Sequence, residues 1–205
     1  MRVPWPVLPA AGPGQAIGLF GGSFNPPHAG HVHVSETALR RLKLDFVWWL
    51  VTPGNPLKDA NELAPLANRM SAARDLLTDP RIKVTSIETD IGLNRTIDTL
   101  HWLIRRRPEA RFVWIMGADN LASFHRWHGW REIAQLVPMA IIDRPGAGLQ
   151  SRAGRAAQAL SSSRIDEADA ALLPRLAPPA WVFLHGPHAH HSSSVLRQST
   201  PSMME

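Results

Sequence analysis

The sequence predicts an α/β fold, an open parallel sheet with helices on both faces, and three observations carry that expectation. Short apolar runs recur along the chain, segments of helical period separate them, and the runs are apolar at successive positions, as in strands covered on both sides. The runs are AIGLF (16–20), FVWWLV (46–51), IKVTSI (82–87), RFVWIM (111–116), MAIID (139–143) and WVFL (181–184). Between them Val34, Ala38, Leu39 and Leu42 share one helical face, as do Leu66, Met70, Ala73 and Leu77, and Ile97, Leu100 and Ile104. These are crossover helices for the first four strands, and Trp130 to Leu136 supplies a shorter helix before the fifth.

Composition bounds the rest. With 205 residues, 44% of them hydrophobic and 19% charged, the chain can bury one substantial core, whereas two domains would each be small for independent stability. Residues 1–15 read as a Pro-rich extension and residues 16–197 as the domain. Within it residues 145–179, rich in Ala, Arg, Ser, Gly and Pro, read as a surface linker with one helix around Ser151 to Leu160, and residues 198–205 read as a short tail. The absence of cysteine excludes disulfides, thiolate metal sites and thiol catalysis. Four prolines interrupt the first 15 residues before a signal-peptide core can form, and no run approaches the roughly 20 apolar residues of a spanning helix. A cytoplasmic protein without membrane association is expected. A formal charge of +5 favours anionic partners, nucleic acid or small phosphorylated molecules, but no Lys/Arg run or nucleic-acid signature selects the former.

The unusual residues fall in the loops that follow strands: GGSFNPPHAGH, TPGNPLK, GADN and HGPHAHHSSS. Open parallel sheets bind ligands beyond the carboxyl ends of their strands, so these loops are expected to converge there. In the first, Gly21 and Gly22 would let backbone approach a ligand, and the helix opening near Gly30 would offer free N–H groups and a positive dipole end to a phosphate. His28 and His31, three residues apart, can reach the same anion and stabilise charge developing on it. From these residues alone a metal pair and a helix cap remain alternative uses of the two histidines. The cluster His185, His188, His190 and His191 could likewise bind adventitious metal.

GGSFNPPHAGH resembles the signature of the HxGH nucleotidyltransferase superfamily, and HSSSVLR (191–197) resembles its second motif. NRTIDTL (94–100) and MGADNLASFHRWHGWREI (116–133) are similar to segments of bacterial nicotinate mononucleotide adenylyltransferases. The resemblance spans residues 17–197. It implies a Rossmann-like fold and transfer of an adenylyl group from ATP to nicotinate mononucleotide with release of pyrophosphate. Mg²⁺ would be bound through the ATP phosphates with no metal site of the protein's own. A monomer or homodimer is implied, with no nucleic-acid partner.

Carried onto this chain, the resemblance implies that Gly21, Gly22, Ser23 and Phe24 line the nucleotide and that His28 and His31 face the ATP phosphates. Ser193, Ser194 and Arg197 would hold the triphosphate, with Arg197 catalytic beside His28 and His31. Lys58 would close on phosphates, and Gly117 and Asp119 would contact the adenosine. Asn25, Thr96, Asp119, Trp127 and His128 would bind the nicotinate mononucleotide, with the Trp127 indole on the pyridine ring and Thr96 and the N–H groups around Trp127 and His128 on its carboxylate. Plainer uses compete at several of these. Trp127 could be core, Asp119 could cap a helix beginning at Asn120, Thr96 could be an N-cap and Lys58 could be merely solvated. Asn25, Ser194 and His191 stand where the family more often has Asp, Thr and Ile, and QSTPSMME follows the second motif where the family usually continues through a helix. Another small-molecule nucleotidyltransferase, or a basic nucleic-acid-binding protein on the same scaffold, are the rival readings.

Overall fold

The computed structural model describes residues 7–53, 63–143 and 154–186. Six strands form one sheet: β1 (Ala16–Gly22), β2 (Phe46–Val51), β3 (Ile82–Thr85), β4 (Arg111–Gly117), β5 (Met139–Ile142) and β6 (Trp181–Leu184). All neighbours are parallel and the spatial order is β3-β2-β1-β4-β5-β6, the Rossmann order, which reverses between β1 and β4. The helices are α1 (Ala29–Arg41), α2 (Leu66–Leu76), α3 (Ile87–Asp90), α4 (Thr96–Arg106), α5 (Ala118–Phe124), α6 (Trp130–Leu136) and α7 (Arg155–Ala159).

Strand alternation divides the apolar residues into two cores. Ile17, Leu19, Trp48, Trp114, Met116 and Phe183 face α4 to α7, whereas Phe20, Val47, Trp49, Ile115, Ile142 and Val182 face α1 and α2. The adjacent Trp48 and Trp49 thus fill opposite sides of the sheet, which is why the strands read as continuous apolar runs rather than as alternating ones.

Two strand readings run long. Residues 86 and 87 leave the sheet, Ile87 opening α3, and Asp143 lies beyond the end of β5. The segment read as a surface linker differs more. After α7 come two 3-10 segments, Ser161–Ser163 and Glu167–Arg175, and Ala156, Ala157, Ala170 and Leu173 are buried against the two cores. Its small apolar residues form packing surfaces that a 3.6-residue pattern of large side chains would not reveal. At the end of β6 the His185 ring and N–H both bond to Glu167, which also pairs with Arg41 at 3.1 Å. His188, His190 and His191 lie outside the described residues.

Candidate active site

The order reversal places the carboxyl ends of β1 and β4 side by side, with the loop after β1 on one flank and the start of α5 on the other. His28 is the N-cap residue of α1, and the two histidines build a capping box. His28 Nδ1 accepts the Gly30 N–H at 3.1 Å, and His31 Nδ1 accepts the His28 N–H at 3.2 Å. Their ring centroids are 3.9 Å apart. The cap and anion readings coexist, because an Nδ1 that accepts must leave the ring proton on Nε2, and Nε2 takes no part in the capping box. The Gly30 N–H, by contrast, is spent on His28 and is not a donor for a ligand.

Other parts of the loop depart from the expected roles. Phe24, at a positive φ of 47°, is 1% exposed, and its ring stacks on Trp49 with centroids 4.5 Å apart. That ring is core, and only the Phe24 backbone can line a nucleotide. His31 rests on this aromatic cluster, 4.9 Å from Phe24 between ring centroids, while Trp49 Nε1 donates to Ser35 Oγ and that hydroxyl donates to the His31 carbonyl. Gly21 and Gly22 are the last two residues of β1. A Cβ on Gly21 would come within 2.8 Å of the Trp114 ring, so packing already demands glycine there.

A residue the sequence reading missed organises the underside of this loop. Arg69 of α2, 3% exposed, donates from Nη1 to the carbonyls of Ser23 (2.7 Å) and Thr52 (2.9 Å) and from Nε to that of Ala64 (2.9 Å). It fastens the loop after β1 to the loop after β2, a join that the Thr52 N–H to Gly22 carbonyl bond and the Ala64 N–H to Asn25 Oδ1 bond reinforce. Asn25 is therefore engaged within the loop system. Burial lowers the Arg69 pKa from its ordinary value. Its helical spacing from Leu66 and Ala73, on the buried face, is the signal that could have found it.

Across the crevice Gly117 ends β4 and is the N-cap of α5, which begins at Ala118. Asp119 is exposed in the first turn of α5, so it does not cap a helix starting at Asn120. Thr96 is the first residue of α4, whose N-cap is Arg95, so it too is not the cap. The RWHGW segment lies against this helix start: Gly129, with φ 65°, packs so closely on Ile97 that a Cβ would sit 3.3 Å from its Cγ1, and His101 bonds Glu132 at 2.8 Å. Trp127 is half-buried, edge-on to Phe124 (5.5 Å) and Trp114 (6.3 Å). It is anchored to the core margin while part of the indole stays accessible. Its backbone N–H is already donated to the Phe124 carbonyl at 2.9 Å, so it is not a donor for a substrate carboxylate. The exposed His128 has no partner for its N–H among the described residues, and the first-turn N–H groups of α4 lack intrahelical partners.

Trp114 thus joins the two halves, its ring filling the space Gly21 leaves and meeting Trp127. Lys58, Ser193, Ser194 and Arg197 lie outside the described residues. Among the described residues no group of three or more His, Asp or Glu side chains could hold a metal ion, and no helix is long and apolar enough to cross a membrane.

A family model described as cytidylyltransferase-like matches residues 19–198. A probable nicotinate-nucleotide adenylyltransferase of Methylorubrum extorquens is 62% identical over 181 residues, 88% of this chain and 98% of the relative. One from Brucella abortus is 58% identical over 184 residues, 90% of this chain and 95% of the relative. In structure, the Plasmodium falciparum nicotinic acid mononucleotide adenylyltransferase complexed with NaAD superimposes with a TM-score of 0.62 at 17% identity, covering 84% of this chain and 76% of that one. The last similarity speaks for the fold.

Proposed function

Since the chain belongs to the cytidylyltransferase-like family and, within it, to the nicotinate-nucleotide adenylyltransferases, we propose a division of labour among its residues for that reaction. The enzyme transfers the adenylyl group of ATP to nicotinate mononucleotide, giving nicotinate adenine dinucleotide and pyrophosphate. A 5′-phosphate oxygen of the mononucleotide attacks the α-phosphorus, the bond from phosphorus to the α–β bridging oxygen breaks, and pyrophosphate leaves with the electron pair. Phosphate is already an ionised nucleophile, so the protein's task is alignment and neutralisation of charge.

The observation that carries the assignment of roles is the histidine capping box at the carboxyl end of β1, beside β4. Its Nε2–H groups serve the phosphates of ATP, joined by Ser193, Ser194 and Arg197 of the second motif and by Lys58. Gly117 and Asp119, one strand over, serve the adenosine. Thr96 and the His128 N–H serve the nicotinate carboxylate and the Trp127 indole the pyridine ring. A Mg²⁺ would be held through the phosphate oxygens of ATP and water, and would supply neutralisation of charge on the pyrophosphate. A cytoplasmic location accords with this reaction.

The test is product formation from Mg-ATP across candidate mononucleotides. Nicotinate mononucleotide is expected to give dinucleotide and pyrophosphate in equal amounts. Preference for phosphopantetheine or the amide mononucleotide would move the chain elsewhere among nucleotidyltransferases, and salt-sensitive polynucleotide binding without pyrophosphate release would overturn the enzymatic reading.

A further inference from the structure

Glu88 has no part in the reaction just described, yet it is 3% exposed and packed under the start of α4. Its carbonyl receives the Leu93 N–H at 2.8 Å, closing the turn between α3 and α4. Its carboxyl group meets the buried Thr99 hydroxyl at 3.0 Å, and the same Oγ1 lies 3.1 Å from the carbonyl of Arg95, the N-cap residue of α4. A hydroxyl has one proton, and a backbone carbonyl can only accept. If Glu88 were ionised, Thr99 would have to divide that proton between two acceptors. If Glu88 is the neutral acid, every hydrogen has one place: Glu88 Oε1–H donates to Thr99 Oγ1, and Thr99 donates to the Arg95 carbonyl. The other oxygen, Oε2, is buried without a partner among the described residues, which is tolerable for the carbonyl of an acid and costly for half of a carboxylate. Burial acts the same way, pushing Glu88 up to about 7 against partial opposition from the Thr99 hydroxyl.

We propose that Glu88 is a positioning residue for the acid-binding pocket: as a neutral carboxylic acid it donates to Thr99, fixes the first turn of α4 with Thr96 upon it, and places no negative charge beneath the substrate carboxylate. Thr96 stands one turn before Thr99 on the same helix, so the chain Glu88, Thr99, Arg95 leads directly to it. An ionised Glu88 would suit the positive end of α4 and for that reason would compete with the substrate anion for the same field. The inference rests on the reading of Thr96 and His128 as carboxylate ligands.

The test compares Glu88→Gln with Glu88→Leu in the full-length enzyme at about pH 6, where Glu88 holds its proton, measuring kcat and KM separately for the acid mononucleotide, the amide mononucleotide and ATP. Gln keeps a donor for Thr99 and a carbonyl in place of Oε2 but can carry no charge, so its kcat/KM for the acid is expected within about threefold of wild type, whereas Leu should raise KM for the acid about tenfold or more with KM for ATP little moved. Should Glu88→Leu fail to fold, Thr99→Ser and Thr99→Val pose the same question, the first keeping the hydroxyl and the second losing it. A Gln variant as impaired as Leu, or a Leu variant equal to wild type, overturns the proposal. Thr96→Val separates the two levels. If it collapses the preference for acid over amide while Glu88→Leu and Thr99→Val preserve it, the pocket stands and the role of Glu88 falls; if wild type uses acid and amide equally, the pocket itself falls and the proposal with it.

Discussion

Two ionisable side chains are buried beneath the two halves of this crevice, and they resolve the same problem in opposite ways. Arg69, under the loop after β1, meets three carbonyl oxygens and keeps its charge. Glu88, under the start of α4, meets one hydroxyl and is driven towards the neutral acid. Burial alone disfavours both charged forms, and what differs is the supply of partners. On the proposed assignment of roles, this sets a cation beneath the loop that serves the phosphates and, while Glu88 holds its proton, no anion beneath the groups that serve the carboxylate.

The sharpest break of this comparison is on the loop that Arg69 supports. His31→Ala should lower kcat by roughly 10²–10³-fold, the scale of one lost transition-state donor, while costing about 1 kcal/mol of stability for its share of the capping box in addition to its packing on Phe24 and Trp49. Steady-state kinetics with parallel urea unfolding check both, and turnover equal to wild type would remove His31 from the chemistry. Arg69→Met should follow, with about 3 kcal/mol lost from unfolding for orphaned buried carbonyls and about 100-fold lost in kcat/KM through a displaced loop. Loss of stability with intact kinetics would reduce Arg69 to a core residue.

On the other side the expected effect is a pH dependence. Glu88 holds its proton to about 7 in the folded protein against an ordinary value of 4.5, so between those values the folded state binds more protons than the unfolded one. Stability from this group therefore falls as pH rises through that window, by about 3 kcal/mol at most, and the penalty is complete above it. Urea unfolding at pH 5 and pH 8 should show a wild-type loss that Glu88→Gln lacks; equal pH dependence in the two proteins would contradict the neutral acid. Smallest is Trp127→Ala, expected to weaken both mononucleotides by about tenfold through lost stacking, without altering their ratio.

The same contrast explains what could be read from sequence. β2, β6 and α6 match their predicted bounds because large apolar residues define them and turn residues or polar segments flank them. The apolar run IKVTSI overshoots β3 by two residues because Ile87 is as apolar as a strand residue although it opens α3, and the segment 154–179 hides its packing in alanines. In the crevice the histidine pair was legible as a motif, but a motif does not state which nitrogen is used, and the capping box decides that. Gly21 reads as a gap for a ligand until Trp114 is seen in it. Arg69 carried a signal in its spacing on the apolar face of α2. Glu88, in the four-residue α3, carried none, since its burial comes from α4 folding over it.

The most direct measurement is kcat/KM for nicotinate mononucleotide and for nicotinamide mononucleotide, read as pyrophosphate released from Mg-ATP, in wild type and Thr96→Val. On the proposed roles the Thr96 hydroxyl and the His128 N–H would present donors to the pyridine substituent, so a carboxylate would gain charge-assisted bonds where an amide N–H₂ would face donors with donors. One such mismatch costs roughly 1–3 kcal/mol, so the wild type is expected to favour the acid at least about tenfold and Thr96→Val to narrow that gap. Equal use of acid and amide by the wild type would contradict the account.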